Sequence, residues 1–157
     1  MSIEERLIEL RIVLPEAAKP VASYAPAVLS GDYVFVSGQL PVVAGKLKFE
    51  GKVGREVSVD EGRECARIAA INCLAAVKSV VGSLNRVKRI VRVVGYVNSG
   101  EHFKEHPRVV NGASDLLVEI FGDAGVHARS AVGSNGLPLG APVEVEMIVE
   151  VSGILHS

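Results

Sequence analysis

One stretch near the C-terminal end limits the possible folds more than any other. From Val143 onward the odd positions Val143, Val145, Met147, Val149 and Val151 are all apolar, while Glu144, Glu146 and Glu150 fall between them. A period of two puts the apolar set on one side of an extended strand, and such a strand needs a second layer over that side. The covering layer reads as helical. Ser58 and Glu61 form a capping box, and Ala66, Ala70, Cys73, Leu74, Val77 and Val81 follow at spacings of three and four before Gly82, which predicts a helix over 59–81. Pro107 suits the first turn of another helix, with the stripe Val110, Ala113, Leu117, Ile120 and Phe121 and a stop at Gly122.

The remaining segments supply more sheet. Val28 to Ser37 carries β-branched and aromatic residues on both sides of Gly31-Asp32, a two-residue hairpin turn. A third strand is expected over 46–49, followed by a mobile loop at Gly51-Lys52-Val53-Gly54. The valine-rich run 87–97 reads as a buried strand, and Arg129 to Val132 as a short one. At the N-terminus, Ser2 and Glu5 make a second capping box, and apolar residues up to Pro15 predict a helix over 3–14. The expected architecture is one α+β domain over 1–157, with helices on one side of a sheet whose bare second face favours self-association.

Several functions are disfavoured at this level. With 17 basic and 18 acidic residues the net charge is −1, aromatic residues are 4% and Trp is absent, so nucleic acid finds neither a positive field nor stacking platforms. No apolar run approaches the length that spans a bilayer, and the start lacks the order of a signal peptide, so a cytoplasmic protein is expected. Cys65 and Cys73 lie eight apart on one helix, ~12 Å along its axis, too far for a disulfide within the chain; buried thiols are expected. His102 and His106 are four apart without a third ligand nearby, and His127 and His156 have no local partner, so no metal site is expected. Gly38 to Lys46 does not keep the spacing of a phosphate loop, and no serine has nucleophile-elbow context.

What remains is Arg129, whose planar fork suits a carboxylate, and the glutamate-bearing strand at Glu144 and Glu146, which can hold a water or a proton. Two readings stay open: a small-acid site, or a solvated glutamate face with Arg129 in an ion pair.

Tyr24, the segment Val36-Ser37-Gly38-Gln39-Leu40-Pro41, Asn111, Ala128-Arg129-Ser130 and Glu144-Val145-Glu146 occur in one particular order and spacing. Over residues 20–152 the chain thereby resembles the RidA/YjgF family, the reactive-intermediate imine deaminases also labelled endoribonuclease L-PSP. The resemblance implies a chorismate-mutase-like fold, a homotrimer, and a site in each cleft between subunits. It further implies that Arg129 binds the carboxylate of a 2-imino acid such as 2-iminopropanoate or 2-iminobutanoate and that Glu144 orients the attacking water. Tyr24, Ser37, Gly38 and Asn111 would line the pocket, and no metal or organic cofactor would be needed. Ala131 stands where the family usually has Cys, leaving only its backbone carbonyl to contact a ligand. The loop 133–142 is longer than in the deaminases, and the helix over 3–14 resembles an addition found in one subgroup. The implied activity is hydrolysis of small 2-imino acids, or related enamines, to 2-oxo acids and ammonia. The alternatives are a non-catalytic module that binds small carboxylates, and the ribonuclease or translation-inhibitor activity of the family's other label.

Overall fold

Residues 1–17, 19 and 22–153 are described in the computed structural model. Among the described residues the strands are β1 (Ala27–Ser30), β2 (Tyr33–Gln39), β3 (Val42–Val43), β4 (Lys46–Leu47), β5 (Val87–Asn98), β6 (Ala128–Ser134) and β7 (Val143–Val151), and the α-helices are α1 (Ile3–Glu9), α2 (Val59–Val81) and α3 (His106–Phe121). The period-two strand β7 is central in a five-stranded sheet of order β1-β2-β7-β5-β6. Its neighbours β2 and β5 are both antiparallel to it, while β6 runs parallel to β5 on the edge. The odd residues of β7 are buried under the helices together with Val34, Val36, Ile90, Val93 and Val97. The opposite face is open and mixed, with Val28, Tyr33, Phe35 and Val132 exposed.

Helix α2 begins where its capping box predicts: Ser58 Oγ accepts from the Glu61 backbone N–H while Glu61 accepts from that of Ser58. Cys65 and Cys73 are buried on its inner face, and the Cys73 thiol donates to the Val145 carbonyl at 3.3 Å. Burial pushes the Cys65 thiol up to about 12 and the Cys73 thiol higher still. Helix α3 crosses α2 closely because Gly112 is bare: a Cβ there would lie 1.9 Å from the Arg63 carbonyl oxygen. Gly95 on β5 does the same for the other side of α3, where a Cβ would meet the Val110 side chain at 2.5 Å. These contacts fix the height and rotation of the helix that carries Asn111.

Four sequence expectations need correction. Helix α1 stops at Glu9, well before residue 14, because Arg11 turns left-handed (φ 58°) and closes a Schellman cap: Ile12 N–H donates to the Leu7 carbonyl and Arg11 N–H to that of Ile8. Leu7 and Ile12 are both buried, so the cap is stapled by an apolar contact that helical periodicity does not reveal. The third strand is the two-residue β4, which pairs only with β3 as a separate small hairpin. The Gly51–Gly54 loop is fastened: Val53 is buried and donates to the Asn98 carbonyl, and Lys52 Nζ bonds Asn98 Oδ1 and the Asn135 carbonyl. Finally, β6 runs on to Ser134, since parallel pairing with β5 continues to Asn98, and this shortens the loop that precedes β7.

Helix α1 acts as a clip across the ends of the other two. Its Glu4 accepts from the Leu84 N–H, the Ser83 hydroxyl and Lys78 Nζ, and its Arg6 donates to the Glu119 carbonyl. Burial raises the Glu4 carboxyl, but the Leu84 bond and the Lys78 ammonium outweigh it and hold the group below its ordinary value.

Candidate active site

Arg129 lies on the edge strand β6 opposite the buried Val93, so its side chain takes the helix-covered side of the sheet. There Nη1 donates to Asn111 Oδ1 at 2.7 Å and to Ser114 Oγ at 3.2 Å, both on α3. The two acceptors are three residues apart, hence on one face of the helix. Among the described residues Arg129 joins no ion pair, which removes the reading in which its charge is spent on a neighbouring carboxylate. Both bonds fall on Nη1, leaving Nη2 and Nε as the planar pair of donors that matches a carboxylate. Ala131, two residues on, is half-buried on the same side, level with Gly95.

Glu144 lies elsewhere. It is on the open face, level with Tyr96 of β5 and against the bulge that shifts the β2–β7 register between Val36 and Gln39. Gly38 sits in that bulge, and a Cβ there would be 2.5 Å from Glu144 Oε1. The missing side chain is what lets the carboxylate lie against β2. Ser37 donates to the Ala25 carbonyl at 2.6 Å, tying β2 to the segment that carries Tyr24. Tyr24 and Gly38 in turn line a cavity of about 430 Å³ with Pro26, Leu40, Val42 and Ala75. Asn72 of α2 holds its rim by donating to the carbonyls of Leu40 and Val42.

The three glutamates of β7 are not equivalent. Glu150 faces Lys88 at 3.7 Å, and Glu146 accepts the Tyr96 hydroxyl at 2.5 Å. Glu144 has no hydrogen-bond or ion-pair partner among the described residues, and burial, helped by the Glu146 charge, raises its carboxyl above the ordinary value. A half-buried, unpartnered carboxylate of raised basicity has the properties of a general base.

The residues proposed from sequence therefore form two groups. Arg129, Asn111 and Ala131 gather where β6 meets α3; Tyr24, Ser37, Gly38 and Glu144 gather around the β2–β7 bulge. Two strand spacings across and three residues along separate the backbones of Arg129 and Glu144 by ~14 Å, and their side chains leave opposite faces. Sequence reasoning missed Ser114 and the Tyr96–Glu146 pair. Ser114 could have been found as the second small polar residue, three after Asn111, beside an otherwise apolar stripe. Of the histidines, His102 is exposed beside Glu101, His106 opens α3 with Nε2 near the Ser99 hydroxyl, and His156 lies outside the described residues. Among the described residues no three His, Cys, Asp or Glu side chains converge as a metal site would require.

The family model "YjgF/chorismate_mutase-like, putative endoribonuclease" matches residues 4–151. The chain belongs to the YjgF/RidA family. Protein TCP17 of Trypanosoma cruzi is 42% identical over 153 residues, covering 96% of this chain and 94% of that one. The crystal structure of a putative endoribonuclease from Shewanella oneidensis superposes with a TM-score of 0.92 at 37% identity, covering 96% of this chain and 100% of the other. The structure of Escherichia coli TdcF with bound serine shares the fold more distantly, with a TM-score of 0.62 at 21% identity over 87% of this chain and 94% of that one. The α+β arrangement, with helices packed on a mixed sheet, is thus the chorismate-mutase-like fold of the YjgF/RidA family.

Proposed function

We propose that this protein hydrolyses 2-imino acids to 2-oxo acids and ammonia, in sites that each take Arg129 from one copy of the chain and Glu144 from a neighbour. The observation that carries the proposal is the way Arg129 is held. Two neutral acceptors orient it without neutralising it, so a full positive charge and a free planar donor pair remain for an anion. In a 2-imino acid the carboxylate is bonded directly to the imine carbon. A group that holds the first and a base that serves the second must then be only a few ångströms apart. Opposite faces of one sheet do not permit that, whereas two copies packed edge to bulge do. A closed ring, the homotrimer that the family resemblance implies, repeats such a contact without leaving an open end.

In the assembled site the Arg129 fork grips the carboxylate, the Ala131 carbonyl receives the imine N–H, and Glu144 holds a water against the imine carbon. As the water oxygen adds, Glu144 takes its proton and delivers it to nitrogen. The second proton of the water follows by the same route as the carbonyl forms, the C–N bond breaks and ammonia leaves. The apolar wall of Pro26, Leu40, Val42 and Ala75 beside Gly38 would accept an aliphatic side chain. Bound serine in the TdcF structure supports the reading, as a small amino acid held by the same fold.

Against the endoribonuclease of the family description stand the net charge of −1 and the lack, among the described residues, of a pair of histidines set for acid–base work. The test is ammonia release from 2-iminobutanoate generated in situ by an amino-acid oxidase. Acceleration over the uncatalysed rate, lost in Arg129→Lys and Glu144→Gln, is expected. Binding of the 2-oxo acid without acceleration would leave a non-catalytic carboxylate module.

A further inference from the structure

His127 is used by none of the chemistry above, yet its ring is bonded at both nitrogens. Nδ1 lies 2.6 Å from the Gly125 carbonyl oxygen and Nε2 lies 2.9 Å from Ser114 Oγ. Ser114 is also the second acceptor for Arg129 Nη1. For a neutral imidazole, donor and acceptor chemistry fixes the direction of this chain. A carbonyl only accepts, so Nδ1 carries a hydrogen; in the neutral ring Nε2 is then a lone pair and takes the Ser114 hydroxyl hydrogen. That turns the serine's own lone pairs toward the guanidinium, as the Arg129 bond requires.

The far end of the chain is tightly packed. Gly125 packs so closely on α3 that a Cβ would stand 2.2 Å from the Leu117 carbonyl oxygen. Its carbonyl is a fixed point, and Gly125, His127, Ser114 and Arg129 form one line of bonds from that point to the guanidinium. Asn111 alone would leave the guanidinium free to pivot about a single contact on an edge strand; the second contact sets its plane.

We infer that His127, in its neutral Nδ1–H tautomer, is a positioning residue that orients the Arg129 guanidinium through Ser114. The assignment rests on Arg129 being the carboxylate anchor. Because the carboxylate is held alike in the ground and transition states, loss of the second contact is felt in binding and KM more than in kcat.

The test measures binding of 2-oxobutanoate by calorimetry alongside kcat and KM. Ser114→Ala and His127→Ala are each expected to weaken 2-oxobutanoate binding and raise KM about ten-fold with kcat within about two-fold, the size of one lost hydrogen bond to a charged group. His127→Gln, whose amide oxygen can accept from Ser114, is expected to recover most of the loss. Long-range proton–nitrogen NMR on the parent is expected to show the Nδ1–H tautomer at neutral pH. Unchanged binding in Ser114→Ala, or an Nε2–H tautomer, would overturn the inference. If the parent binds no 2-oxo acid, the anchor reading fails first; the NMR then decides on the hydrogen-bond chain by itself, since Arg129→Lys should still alter the His127 nitrogen shifts if the chain exists.

Discussion

If each site draws Arg129 and Glu144 from different copies, two inactive variants should rescue one another. Arg129→Ala removes the charge-assisted contact to the substrate and is expected to cost roughly two orders of magnitude in kcat/KM, and Glu144→Gln at least as much in kcat. Each alone would thus retain about 1% of the parent activity. When the two chains assemble at random in equal amounts, a given site receives its arginine from the Glu144→Gln chain with a chance of one half. It receives its glutamate from the Arg129→Ala chain with the same chance. About one site in four is then intact, whatever the size of the ring, so the mixture should recover about 25% of parent activity. The assay is ammonia release by co-expressed chains carrying two different affinity tags, purified through both, against each variant expressed alone; the double purification discards uniform rings, so in a trimer about one site in three is intact and recovery rises to about 33%. The geometry makes the contrast sharp, because the ~14 Å and the opposite faces between Arg129 and Glu144 leave no partial solution within one chain. Activity that stays near 1% in doubly tagged, correctly folded assemblies would refute the shared site.

Gly38→Ala should leave thermal stability nearly unchanged, because the atom it meets is the tip of a flexible side chain, but displacing the Glu144 carboxylate should lower kcat at least ten-fold. Since burial and the Glu146 charge raise the Glu144 carboxyl, the base form appears only as pH rises through a midpoint above the ordinary glutamate value. The acid limb of kcat/KM should therefore lie above that value, move to lower pH in Glu146→Gln and disappear in Glu144→Gln. Gly112→Ala forces a methyl group into the Arg63 backbone 1.9 Å away; a loss of about 1–3 kcal/mol or more in urea denaturation is expected, and KM should rise as α3 and Asn111 shift.

What the sequence disclosed and what it withheld differ in range. The capping box of α2, the Gly31-Asp32 turn and the alternation in β7 are decided by residues a few positions apart, and each appears where expected. The end of α1 is also local, but it depends on Arg11 adopting a conformation usually left to glycine, stabilised by burial of Ile12. The two-residue β4 and the anchored Gly51–Gly54 loop depend on partners far along the chain, such as Asn98 and Asn135. The same limit applies to the candidate site. Family resemblance names Arg129 and Glu144 together, whereas strand order and facing, which place them apart, emerge only when the sheet is assembled.

The two cysteines give the molecule a chemical character of its own. Both thiols are shielded on the buried face of α2 and remain protonated far above neutral pH, and Ala131 brings no sulfur to the neighbourhood of Arg129. Peroxide and electrophiles therefore meet no thiolate on the native fold. For the experimenter, the same silence turns the native chain into a blank background on which one cysteine, introduced at Ala131, could be alkylated selectively and would report by its protection whenever the Arg129 side of the cleft is occupied.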